Sequence, residues 1–141
     1  MCYNISMIKI YQTKFKGQDA TIGERGNCFQ AAVASILELT LDVVPDIQEN
    51  DEELKWFDTF RNWLNKRGLT AFGLSTGGNI LLQGYHLIET KSTTLSNGEL
   101  HVCVGYNQEV VHDPNPNTTS VGEVVDYIVI MPLNPAKGII K

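Results

Sequence analysis

The stretch Gly26-Asn27-Cys28-Phe29-Gln30-Ala31-Ala32-Val33-Ala34-Ser35-Ile36-Leu37 sets a cysteine at the first turn of an apolar, alanine-rich helix. Phe29, Ala32, Val33, Ile36 and Leu37 recur at helical spacing, with small Ala31, Ala34 and Ser35 between them. A helix apolar on nearly every side belongs in the interior. Asn27 suits an N-cap, and Gln30, three residues on, suits a variant of the capping box. The helix should stop near Leu39. A thiol at a helix N-terminus meets the positive end of the helix dipole, which favours thiolate over thiol. A nucleophilic cysteine needs that placement. Free cysteines are also among the most buried residue types and commonly act as small hydrophobes, so the reading turns on a base elsewhere in the chain.

With 141 residues, the chain can bury a core as a single domain over 1–141, with 1–6 as a loose leader. The formal net charge of −5 and the lack of a basic run argue against nucleic acid as a partner. No run of about 18 apolar residues exists to cross a membrane, and Met1 to Met7 lacks the pattern of a signal peptide. Cys2, Cys28 and Cys103 are too few and too scattered for a disulfide framework. A reducing, cytoplasmic location is expected, with Cys28 available as a thiol.

Along the chain, Met7 to Tyr11 alternates and predicts a short strand, and Gln12 to Gly26 a loop walling a cleft. Thr40 to Pro45 predicts a turn. Asp51-Glu52-Glu53 opens a second helix whose apolar stripe runs through Leu54, Phe57, Phe60 and Leu64 and which Lys66-Arg67-Gly68 closes. Trp56 and Trp63 flank that stripe, as core or groove edge. Strands are then expected over Leu69–Leu74, Tyr85–Glu89, Leu100–Tyr106, Glu109–Asp113 and Val124–Met131, with Gly77-Gly78 and Asp113-Pro114-Asn115-Pro116-Asn117 as turns. Helices first and closely spaced strands later give an α+β domain with an antiparallel sheet.

A cysteine nucleophile needs a histidine to take its proton and a third group to hold the imidazole. His86 lies in an apolar run and reads as structural. His101 opens a strand whose face-mates Cys103 and Gly105 are small, leaving room for a helix end. His112 precedes Asp113 on the next strand. If the loop between the two strands is Tyr106-Asn107-Gln108, His101 falls opposite Asp113 on one face. If it is only Asn107-Gln108, His101 faces Pro114 and Asp113 shares the face of Val102. A Cys28–His101–Asp113 triad therefore requires an odd loop, or Asp113 just past the regular ladder. With Asp113 on the face of His101, His112 points to the opposite face and reads as structural. A metal site from Cys28, His101 and Asp113 or His112 lacks Cys-x-x-Cys or His-x-x-x-His spacing.

Cysteine at the start of a buried helix, histidine on a strand and an acid on the next strand resembles the order of papain-like cysteine peptidases. The segments Asn27-Cys28-Phe29-Gln30-Ala31-Ala32 and His112-Asp113-Pro114 are similar to those of small bacterial and bacteriophage members. The resemblance spans about Gln12 to Pro116. It implies a papain-like fold with the cysteine helix packed on an antiparallel sheet, no cofactor, and cleavage of an amide, isopeptide or thioester bond in a peptide or protein substrate. It also implies an upstream glutamine donating to the oxyanion: Gln12, with Gln18 as the spare. Asn27 and Trp63 are the candidate substrate contacts. An inactive binding or inhibitory protein of the same fold, and an acyltransferase with the same triad, are the alternatives. Oligomeric state does not follow from the sequence.

Overall fold

The computed structural model describes residues 7–15, 26–47, 55–93, 100–118 and 120–138. Among these, two α-helices, α1 (Cys28–Leu37) and α2 (Trp56–Asn65), accompany one sheet of five strands: β1 (Leu69–Ser75), β2 (Tyr85–Lys91), β3 (Leu100–Tyr106), β4 (Glu109–His112) and β5 (Val124–Pro132). Every pairing is antiparallel, in the order β1-β5-β2-β3-β4. The fold is α+β, as the order of elements predicts. The last strand runs between β1 and β2, so the sheet's two edges come from β1 and β4.

Helix α1 packs on β3 and β2, and α2 on β1. Phe29 of α1 meets Trp56 and Phe60 of α2 edge-on, at ring separations of 5.2 and 4.8 Å. Around them Ala32, Val33, Leu64, Ala71, Leu87, Val102, Val104 and Ile128 form the buried core. Each large apolar side chain enclosed in this way stabilises the fold by about 1.5–3 kcal/mol. Residues 86–90 of β2 and 102–105 of β3 are buried without alternation, so the middle of the sheet is covered on both faces. Past α2, Gly68 turns the chain into β1 with φ at 76°, a left-handed backbone that glycine adopts without strain.

One expectation needs correction. Met7 to Tyr11 joins no strand ladder. It is tied instead by Ser35, whose Oγ accepts from the Ile10 N–H at 3.0 Å, and by His112. Alternation reports an extended segment lying half-buried, and side chains can satisfy its backbone as well as a neighbouring strand can. The second helix is assigned from Trp56, and Asp51 to Leu54 lies outside the described residues.

Candidate active site

Cys28 is the first residue of α1 and is partly exposed. Asn27 occupies the cap position but caps nothing with its side chain. Its Oδ1 accepts from the backbone N–H groups of Thr13 and Lys14 at 2.9 and 2.8 Å, and its Nδ2 donates to Thr13 Oγ1 and Gln30 Oε1. Gln30 is not a cap either: its Nε2 donates to the Leu41 and Val44 carbonyls, at 3.0 and 2.7 Å. Sequence spacing fits capping, but the same polar atoms here close tertiary contacts that α1 cannot make within itself. The buried Asn27 thus clamps residues 13–14 beside the cysteine.

The base and acid come from the β3–β4 hairpin. Its turn is the two-residue Asn107-Gln108, both at positive φ (52° and 69°), with Tyr106 opposite Glu109. The odd loop is therefore not formed. The register shifts instead between Gly105↔Val110 and Val104↔His112, leaving Val111 as an extra residue. That bulge restores the parity. One step past the ladder, Asp113 comes beside Cys103 and so onto the face of His101, in diagonal reach of the imidazole. His101 Nε2 donates to Asp113 Oδ1 at 2.6 Å. The same oxygen accepts from the Asn115 N–H at 2.9 Å, which fixes the carboxylate in a tight turn.

The imidazole is flanked by Asp113 and by two thiols, Cys103 and Cys28, all of which favour its charged form. Burial works against its charge, but these partners, Asp113 foremost, outweigh burial and push His101 up to about 12. The Asp113 bond occupies Nε2, so Nδ1 is the ring nitrogen left to face the thiols. Cys103 is fully buried, and burial pushes its thiol up. Sequence spacing marks Cys103 only as a small face-mate of His101, whereas its sulfur, a ring nitrogen and an Asp113 oxygen all lie within 4.8 Å of one another. A metal held there would have to displace the proton that joins His101 to Asp113. A polar niche of about 20 Å³, lined by Thr90, Ser92, His101 and Asn115 among others, adjoins the ring and has room for one water-sized molecule.

Gln12 is buried beside this cluster. Its N–H donates to the Pro114 carbonyl at 2.9 Å, next to Asp113, and its side-chain Nε2 donates to Lys14 O at 3.0 Å. The Asn27 clamp follows immediately, so Gln12 is held between the acid and the cysteine. Gln18 lies outside the described residues. His112 is buried on the other face, its Nε2 donating to Ile10 O at 2.7 Å and its ring edge-on to Tyr11. His86 donates from Nδ1 to Gly84 O. Trp63 is not brought to the cluster. It sits on α2 under the Arg67 guanidinium, 4.7 Å from its ring centre, and α2 packs on β1, the opposite edge of the sheet from β4.

No family model, curated protein or solved structure matches this chain. Among the described residues no helix is long and apolar enough to cross a membrane.

Proposed function

We propose that this chain is a papain-like cysteine hydrolase that cleaves an amide, isopeptide or thioester bond through Cys28, His101 and Asp113. The observation that carries the reading is the imidazole of His101, hydrogen-bonded to Asp113 and within electrostatic reach of the thiol that starts α1. Each partner has a chemical task. His101 draws the proton from Cys28, and the resulting imidazolium is stabilised by the Asp113 carboxylate. The sulfur attacks the carbonyl carbon, and negative charge collects on the carbonyl oxygen. Gln12 has a second side-chain N–H besides the one given to Lys14, and that donor is suited to the oxyanion. His101 then protonates the leaving amine or thiol as the carbonyl carbon separates from it. Water gives its proton to His101, attacks the thioester and frees the acid, and the thiol is restored.

Exposure to p-nitrophenyl acetate followed by intact-protein mass spectrometry tests this directly. A single acetyl group should appear on Cys28 and then turn over. It should be absent from Cys28→Ala, and form at least about 100-fold more slowly in His101→Ala. Acetylation of Cys103, equal labelling of Cys28→Ala, or no labelling of the native chain would each overturn the proposal and favour a protein that binds without turnover.

A further inference from the structure

A second group of ionisable side chains lies on the sheet between β2 and β5. Glu89 and Asp126 are directly opposed across the two strands, close enough that the Asp126 carboxyl group disfavours charge on Glu89. Glu89 is only 8% exposed, and Asp126 Oδ1 is enclosed with no partner. Both line a groove of about 310 Å³ whose other walls are Trp56, Phe57, Gly73 and Ile128. None of the six lining residues carries a positive charge. The volume is at the lower end of the range for small-ligand sites, about 300–1,000 Å³.

Two carboxyl groups this close on an apolar wall cannot both ionise without a counter-charge. Burial, with the neighbouring Asp126 second, pushes Glu89 up to about 7. A cation entering the groove would provide that charge, accept the orphaned oxygen as a partner and lie against two aromatic rings. We infer that this groove binds an ammonium or guanidinium group on an apolar stem, as in a lysine or arginine side chain. Trp56, which forms one wall, contacts Phe29, the residue after Cys28. The groove is thus linked to α1 through that ring contact, and on the acyl-transfer reading it selects a basic residue in the substrate. Binding itself does not depend on turnover.

The full chain carrying Cys28→Ala, which cannot turn over, is titrated with n-butylguanidinium and with its neutral analogue n-butylurea, followed by calorimetry. The guanidinium should bind at least tenfold more tightly than the urea. Glu89→Gln should abolish that preference, and Asp126→Asn carries the same expectation should the first variant not fold. Gly73→Leu should block both ligands, since a side chain added there meets nothing closer than Tyr127 O at 3.9 Å and would occupy the groove. Equal affinities, no binding of either ligand, or a preference that survives both carboxyl substitutions would overturn the inference.

Discussion

The two histidines near the hairpin differ by what each one touches. His101 meets a carboxylate and two thiols, whereas His112 donates to a backbone carbonyl and lies under Tyr11. His101→Ala should therefore remove acyl transfer and also lower stability, because Asp113 loses its imidazole partner. His112→Ala should keep most of the chemistry but lower stability by about 1–3 kcal/mol in urea unfolding, because the Ile10 carbonyl loses its shorter hydrogen bond and keeps only the longer one from Ser35 Oγ. Equal losses of activity in the two variants would contradict this division. Gly105 is a further single-residue test. A Cβ there would come within 2.6 Å of Ile88 Cδ1 and 2.7 Å of His86 Nε2, both on fully packed side chains. Gly105→Ala should destabilise the protein by about 1–3 kcal/mol, measured as a lower urea midpoint. Cysteine, histidine and aspartate were legible in the sequence because each sits at a recognisable place: a helix start, a strand start and a Pro-rich turn. The part of Cys103 was less so, since spacing shows a face and not a distance.

Elements were read more easily than their junctions. All five strands of the sheet fall where alternation and glycine breaks place them, and α1 starts at the expected cysteine. The Val111 bulge has no signature, because neither a glycine nor a charge marks it, yet it decides which face Asp113 takes. Asn27 and Gln30 misled for a related reason: a side chain that could cap a helix can equally hold a distant loop. The side chain of Asn27 joins α1 to residues 13–14 through three hydrogen bonds and to Gln30 through a fourth. Asn27→Ala should cost about 2–4 kcal/mol, because two backbone N–H groups lose a buried acceptor. It should also slow acylation of Cys28, since the segment that carries Gln12 is released. Unchanged stability would show that the clamp is dispensable.

Across the whole molecule, Glu89 and His101 tilt stability in one direction, and His86, which burial holds below its usual value, opposes them below about pH 6.5. Glu89 keeps its proton up to about pH 7 in the fold but loses it near 4.5 in an unfolded chain, so stability falls as pH rises between those values. His101 is raised from 6.5 to about 12, so its contribution is complete below about 6.5 and declines as pH climbs towards 12. Urea unfolding should thus show greater stability at pH 5 than at pH 8. Glu89→Gln should flatten the lower part of that slope and, at pH 8, stabilise the protein by roughly 1–3 kcal/mol. A slope unchanged in Glu89→Gln would contradict this. A fold that keeps so unfavourable a carboxyl pair, when a neutral residue would be more stable, is consistent with use of the groove. Neither the pair nor the groove was legible in the sequence, because Glu89 and Asp126 are 37 positions apart and charged residues on strands ordinarily face water. The most direct test of the cysteine–imidazole pair, on which the proposed chemistry rests, is the rate of iodoacetamide modification of Cys28 at pH 6, followed by peptide mass spectrometry. The native chain should react at Cys28 at least tenfold faster than His101→Ala. Equal rates, or modification at Cys103 in place of Cys28, would show that the two groups do not act together.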